Sequence, residues 1–311
     1  MIKRVAMQNL VLGCMNFGRR TPSAEAQRVL AMALDAGVTQ FDTANVYGDG
    51  ASERIVGEAL RGRDVSITTK VGLARVGRAP EGLHPDTVRS ACDESLRRLR
   101  RDQVDVYLLH APDPLTPPEA TLQAIAELLG SGKIAAWGAS NFAAWQLLEL
   151  ISLADRAGVQ RPCVAQQLYN VLIRQLEFEY FAFARRYGVA TTVFNPLAGG
   201  LLSRAPSGGP PLGARFQQNP MYQRRYAAPR MVEAASALAS VAEGAGLSLL
   251  ELAYAFVFHC PEVAAVVVGP GTVPHLEAAL VAARAPRPED ALIAVEAWWT
   301  ERIGTDAKYA R

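Results

Sequence analysis

The sequence predicts a single (β/α)8 barrel across residues 1–311, with long loops over one face and an extra helix near the C-terminus. Three observations predict it. Short β-branched runs alternate with longer segments of helical periodicity from Val11 onward, the pattern of βα units around a parallel sheet. There are eight such runs, the number that closes this barrel. No repeat of fixed period, low-complexity tract or interdomain linker interrupts the alternation.

The expected strands cover residues 10–14, 39–42, 65–70, 104–110, 134–140, 164–167, 190–195 and 264–268. Among the connecting helices, Val88, Cys92, Leu96 and Leu99 recur at helical spacing. The run Thr116, Pro117, Pro118, Glu119 offers an N-cap, a proline at the first helical position and a reciprocal acid. One connection breaks the rhythm. Residues 203–229 are rich in Gly, Pro, Arg and Tyr without periodicity, and in a barrel they would hang over the active face. Beyond the eighth unit, residues 290–303 form an amphipathic segment with Trp298 and Trp299, expected to pack outside the barrel or close its rim.

Half of the residues are hydrophobic, enough for a large core. With 32 basic and 30 acidic residues the net charge is only +2, so nothing draws the chain toward nucleic acid or a membrane. The expected partner is a small molecule. Cys14, Cys92, Cys163 and Cys260 lie far apart without C-x-x-C spacing, which argues against a zinc site and a disulfide framework and fits a reducing cytoplasm. No apolar run approaches the ~20 residues of a membrane span, and no long apolar stretch follows the basic N-terminal residues, so a soluble, unprocessed protein is expected.

The chemistry collects at the C-terminal tips of three expected strands, which deliver Asp42, Lys70 and His110, with Tyr47 five residues beyond Asp42. A lysine buried beside a phenol can lower its pKa from about 10 and make it a proton donor near neutrality. Together the four groups are consistent with carbonyl reduction by hydride: Tyr47 protonates the developing alkoxide, Lys70 holds down the phenol's pKa, Asp42 orients Lys70, and His110 aligns the carbonyl oxygen. Taken singly, each has a simpler role, as helix cap, turn aromatic, strand end or core histidine. Their matching positions in successive βα units favour a site.

A hydride donor is then needed, and no G-x-G-x-x-G opens a helix after a strand, which excludes a doubly wound dinucleotide fold. Barrels bind phosphate with the loops after strands seven and eight. Here those loops are residues 194–202 and 268–272, both small and expected to expose backbone; ordinary turn chemistry accounts for them equally well.

At this point the chain resembles the aldo-keto reductases, (β/α)8 oxidoreductases that use nicotinamide cofactors without a doubly wound domain. The resemblance runs nearly end to end. It rests on Asp42, Thr43, Ala44 through Tyr47, Gly48 with Ser52 and Glu53; on Thr69-Lys70 and Leu109-His110; on Gly132, Lys133, Ile134 with residues 138–142; and on Gln166 with Tyr169-Asn170. Tyr169-Asn170, followed by residues 174–177 and 194–202, is most similar to the aflatoxin-aldehyde reductase branch, which reduces aldehydes, dicarbonyls and succinic semialdehyde. So is the ending from Ala297-Trp298 to Arg311.

The resemblance implies that Asp42, Tyr47, Lys70 and His110 form the catalytic tetrad, that Asp42 also borders the cofactor, and that Ser140, Asn141 and Gln166 hydrogen-bond the nicotinamide carboxamide. It implies ring stacking by Phe194, a pyrophosphate loop of Asn195, Pro196, Leu197, Ala198, Gly199, Gly200, Leu201 and Leu202, and basic contacts from Arg204 and Arg215. Gly269, Gly271 and His275 stand in the last phosphate loop. Tyr222 and Arg225 match substrate contacts, where a guanidinium can pair with a carboxylate.

The chain departs from the branch at the adenosine end, where Ala205 replaces a lysine and Gly271, His275 and Ala279 replace Ser, Gln and Asn. NADP(H) remains the favoured cofactor, because Arg204 and Arg215 can neutralise a 2′-phosphate, with NAD(H) the alternative. The resemblance implies an NADP-dependent aldehyde reductase, monomeric or homodimeric. Two other readings keep the tetrad: an NAD-linked sugar or alcohol dehydrogenase, and a redox-sensing subunit of the kind that serves potassium channels.

Several features have plainer roles. Arg97, Arg98, Arg100 and Arg101 read as the solvated end of a helix, complementing its macrodipole, rather than as a nucleic-acid patch. Cys14 and Met15 follow the first strand at the active rim, where they either line the pocket or, as the expected role, serve as buried packing. Trp137 and Trp145 either contact substrate or fill the outer layer. His84 and His259 have no spacing that suggests a metal.

Overall fold

The structure is a computed structural model that describes residues 9–74, 79–206 and 220–303. Eight parallel strands close on themselves: β1 Leu10–Gly13, β2 Gln40–Asp42, β3 Ser66–Val71, β4 Val104–Leu109, β5 Ile134–Ser140, β6 Val164–Leu168, β7 Ala190–Phe194 and β8 Ala265–Val268. Each pairs with the next, and β8 returns to β1 with Leu12 opposite Val268. Strands flanked on both faces must be apolar on both, and all four residues of β1 and of β8 are buried. All eight expected strands are present, with ends shifted by a residue or so. His110 lies just past β4 and Asn195 just past β7, where the ladder gives way to the loops of the C-terminal face.

Close approach rather than a turn explains Gly138 in β5. A Cβ there would lie 2.1 Å from the Val164 carbonyl oxygen on β6. Only glycine lets the two strands meet at this point.

The helices α1 Ser23–Asp35, α2 Ala51–Ala59, α3 Pro85–Leu99, α4 Pro118–Gly130, α5 Ala144–Ala157 and α6 Tyr180–Tyr187 follow the first six strands in turn. Between β7 and β8 stand α7 Pro220–Tyr226, α8 Pro229–Gly244 and α9 Leu249–Phe258; α10 Val273–Arg284 and α11 Glu289–Ile303 end the described chain. None is by itself long and apolar enough to cross a membrane. The interval 203–229, expected to lack periodicity, therefore includes a seven-residue helix, while 207–219 lie outside the described residues.

Two local expectations are corrected. Pro117, not Thr116, occupies the cap position of α4 and gives no side-chain cap; the Thr116 hydroxyl instead donates to Asp113 Oδ2 at 2.7 Å. The cluster at the end of α3 is not simply solvated. Arg98 Nε donates at 2.6 Å to Glu53 Oε2, a carboxylate with no exposed surface, and Arg101 reaches the carbonyls of Leu60, Arg63 and Val65. Glu53 Oε1 accepts from Thr69 Oγ1 at 2.6 Å, so α2, α3 and β3 meet at one buried ion pair next to Lys70.

The last helix packs on α8 and α9. It is fastened by Arg174, whose guanidinium lies between the rings of Phe256 (5.0 Å) and Trp299 (4.8 Å) and bonds Glu177 and Glu296. Trp137 is wholly buried, its Nε1 donating to Gln160 O at 2.7 Å. Trp145 is two-thirds exposed, beside an apolar groove with Leu115.

Candidate active site

A cavity of about 390 Å³ opens at the C-terminal ends of the strands. Asp42, Tyr47 and His110 line it, with Ser140, Asn141, Gln166, Phe194, Asn195, Pro196 and Leu197 on one side and Tyr222 and Arg225 of α7 on another. The β2–β3–β4 ladder sets the spacing of the ionisable groups, with Asp42 opposite Thr68 and Lys70 opposite Leu108.

Lys70 has no exposed surface. Its Nζ donates to Asp42 Oδ1 at 2.5 Å and to the Thr43 carbonyl at 2.7 Å, and lies 5.1 Å from the centroid of the Tyr47 ring. An ammonium this deep must be paired, and Asp42 is the counter-ion. Burial lowers the Lys70 pKa from its ordinary value while Asp42 opposes that shift. Tyr47 meets His110 edge to face with centroids 5.7 Å apart. All four expected groups come together.

The phenol does not behave as expected. Burial first, then the Asp42 carboxylate, raise the Tyr47 pKa well above 10. The hydroxyl stays protonated, as a proton donor requires. Burial and the Lys70 charge hold His110 well below 6.5, so its imidazole is neutral at neutral pH; among the described residues its buried Nδ1 has no partner.

The opposite wall is built from β5 and β6. Asn141, with a positive φ of 63°, donates from Nδ2 to the His110 carbonyl at 2.9 Å and to Ser140 Oγ at 3.0 Å. Gln166 Nε2 donates to Asp42 Oδ2 at 2.7 Å, so both carboxylate oxygens are held. A hydroxyl and two side-chain amides thus gather beside Phe194, a donor and acceptor set that fits a planar carboxamide and ring.

The loop after β7 is less open than expected. The amides of Ala198, Gly200, Leu201, Leu202 and Ser203 bond carbonyls within residues 195–200, and Gly199 N bonds Asn195 Oδ1. Gly199 takes a positive φ of 70°, a conformation that favours glycine, and lies against the Tyr222 ring. Across the rim, Asn16 Nδ2 and Thr21 Oγ1 donate to the carbonyls of Gly269 and Gly271, and Glu25 Oε1 accepts from Val273 N. Arg204 and His275 are exposed; Arg215 lies outside the described residues.

Met15 lines the cavity while Cys14 is wholly buried beneath it. Leu73, Ala111, Met221 and Tyr254 also line it and were not anticipated, being apolar residues without a motif. His84 accepts from Asp86 N at the start of α3, and no cluster of metal-ligating side chains occurs among the described residues.

A sequence model of the aldo/keto reductase family matches residues 9–299. Human aldo-keto reductase family 7 member A3 is 38% identical over 226 residues, covering 70% of this chain and 68% of that protein. Human aflatoxin B1 aldehyde reductase member 2 is 41% identical over 198 residues, covering 62% of this chain and 54% of its own length. The chain thus matches about half to two thirds of the length of these relatives. A probable voltage-gated potassium channel subunit beta of Oryza sativa subsp. japonica is 33% identical over 81% of this chain and 80% of that protein.

Proposed function

The chain belongs to the aldo/keto reductase family, and from that premise we propose that it is a cytoplasmic NAD(P)H-dependent oxidoreductase that reduces an aldehyde or ketone to an alcohol, with Tyr47 as proton donor. The observation that carries the reading is the buried Lys70–Asp42 pair beside the Tyr47 phenol and the His110 imidazole at one cavity wall.

The nicotinamide, when bound, supplies the hydride. Ser140, Asn141 and Gln166 would hold its carboxamide and Phe194 would face its ring. Tyr47 gives its proton to the carbonyl oxygen as the carbon is reduced, and the nearby Lys70 ammonium stabilises the phenolate left behind. His110, neutral, donates to the same oxygen without competing for the transferred proton. Asp42 keeps Lys70 charged and in place.

Arg225 is the charged group on the α7 side of the cavity, which supports an aldehyde with an anionic tail, as in succinic semialdehyde. Arg204 and Arg215 support NADPH as the favoured cofactor.

The test is fluorescence titration with NADPH and NADH, followed by turnover of succinic semialdehyde and a neutral aromatic aldehyde. Nucleotide binding, preference for the anionic aldehyde and a loss of about 10²–10⁴ in kcat for Tyr47→Phe are expected. Full turnover by Tyr47→Phe would overturn the assignment. The potassium channel relative favours one alternative, a redox-sensing subunit, whose mark would be tight nucleotide binding without turnover.

A further inference from the structure

We propose that Glu81 is a positioning residue for Tyr47: through Asn45 it pins the turn that carries the phenol to the end of β3, and so sets where the proton is delivered. The inference rests on the reductase reading above and concerns a residue that does not itself line the cavity.

Tyr47 stands in the turn between β2 and α2, two residues past Asn45. On one side this turn is fixed to the end of β1: Thr43 Oγ1 and Ser52 Oγ lie 2.8 Å apart, and Ser52 Oγ donates to the Cys14 carbonyl at 2.8 Å. On the other side it faces β3. Thr43 N donates to Thr68 O at 2.8 Å, but the next rung, Asn45 N to the Lys70 carbonyl, is stretched to 3.3 Å, so the ladder gives out just before the phenol. There the Asn45 side chain takes over, its Nδ2 donating to Glu81 Oε1 at 2.7 Å.

The same Glu81 oxygen accepts from Gly72 N at 2.8 Å, immediately past β3. One atom thus joins the end of the Lys70 strand to the Tyr47 turn, and Leu73, the residue after Gly72, lines the cavity with Tyr47. Glu81 is anchored from behind. The neighbouring Leu83 is buried, its N donates to Asp113 Oδ2 at 2.7 Å and its carbonyl accepts from Thr121 Oγ1 at 2.9 Å, while Pro80 bridges to Ala74.

Stability alone does not account for the amide at position 45. Asn45 has no exposed surface, and among the described residues its Oδ1 has no partner, which carries the cost of a buried unsatisfied acceptor. An apolar side chain would avoid that cost and forgo only the bond to Glu81. What the bond adds is placement. The Tyr47 ring is set between Lys70 Nζ, 5.1 Å from its centroid, and the His110 ring at 5.7 Å, and moving a reacting group by about 1 Å can cost about a hundredfold in rate.

The experiment is steady-state reduction by the intact chain, with the aldehyde and nucleotide that the unmodified protein turns over best, and nucleotide affinity by fluorescence titration. The variants are Glu81→Ala, Glu81→Gln, Asn45→Ala, and Asn45→Ala combined with Tyr47→Phe. Glu81→Ala and Asn45→Ala should each lower kcat about tenfold, with nucleotide Kd within twofold, because Ser140, Asn141 and Gln166 stand on the opposite wall. Glu81→Gln keeps the accepting oxygen and should restore kcat to within about threefold of the unmodified protein. In the Tyr47→Phe background Asn45→Ala should cost less than twofold, since a residue that acts through the phenol then has nothing left to place. An Asn45→Ala kcat within twofold of the unmodified protein, a tenfold loss repeated in the Tyr47→Phe background, or Glu81→Gln as impaired as Glu81→Ala would overturn the inference while leaving the reductase reading intact. Asn45→Ala leaves the Gly72–Glu81 bond in place, so it decides the matter even where Glu81→Ala does not fold. Full turnover by Tyr47→Phe would instead overturn the reductase reading itself.

Discussion

The side chains of Asn195 and Tyr226 are joined by a 2.7 Å hydrogen bond, the Asn195 amide donating to the Tyr226 hydroxyl. The other end of the Asn195 amide accepts from Gly199 N, and Asn170 Nδ2 reaches both the Asn195 carbonyl and the Tyr226 hydroxyl. One wholly buried phenol thus docks α7, with its Tyr222 and Arg225, onto the loop after β7.

Tyr226→Phe keeps the ring and removes the acceptor. An Asn195 N–H is left short of a partner, which should lower stability by about 1–2 kcal/mol. With α7 less firmly docked, KM for an anionic aldehyde should rise several-fold while kcat stays within twofold. Steady-state kinetics with thermal melts checks both, and an unchanged KM would show that the bond does not position Arg225.

The alkaline limb of catalysis should lie far above neutrality. On the proposed mechanism reduction needs protonated Tyr47, and a pKa raised well above 10 keeps it so. The rate of carbonyl reduction should show no falling limb below about pH 10 arising from the phenol. A fall centred near pH 8 that disappears in Tyr47→Phe residual activity would refute the assigned direction of the shift.

His110 links stability to pH. Its folded pKa lies well below the unfolded value of 6.5, because burial and Lys70 penalise the imidazolium. Below pH 6.5 the unfolded chain binds a proton that the folded chain refuses, so this contribution is present above that pH and is lost as pH falls through it. Melting temperature should drop between about pH 7 and pH 5, and less steeply in His110→Gln. Equal slopes for the two proteins would show that other groups dominate.

Arg98 offers a test of the scaffold behind the site. Glu53 is fully buried and its Oε2 depends on Arg98 Nε. Arg98→Met should cost about 3–5 kcal/mol in urea unfolding, since it strands a buried carboxylate, and adding Glu53→Gln should restore much of that loss. A single substitution costing under about 1 kcal/mol would mark the pair as solvent-screened.

What could be read from the sequence was local. β-branched runs and their ionisable tips predicted the strands and the four groups that the structure gathers, because burial on both faces and a charged end leave their mark within a few residues. Contacts that join distant segments left no such mark. Arg98 finds Glu53 across 45 positions, so a cluster of arginines read as solvated. Glu25 meets Val273 across 248, and no window could pair them. Pro117 took the cap position expected of Thr116, whose hydroxyl turns to Asp113, and Pro220 opened a helix inside a segment whose composition suggested none. The direction of the Tyr47 shift was missed for a related reason: Lys70 could be placed beside the phenol, but the burial that raises its pKa most arises only once distant segments enclose the ring.

The enclosure of Lys70 also bears on handling the protein. The chain has four lysines, Lys3, Lys70, Lys133 and Lys308. Of the two among the described residues, Lys70 has no exposed surface, while Lys133 is 41% exposed and precedes β5, on the side of the barrel away from the cavity. Amine-directed coupling to a bead or electrode would therefore spare the enclosed Lys70 ammonium, and molecules tethered through Lys133 would stand with their open mouths turned to the medium.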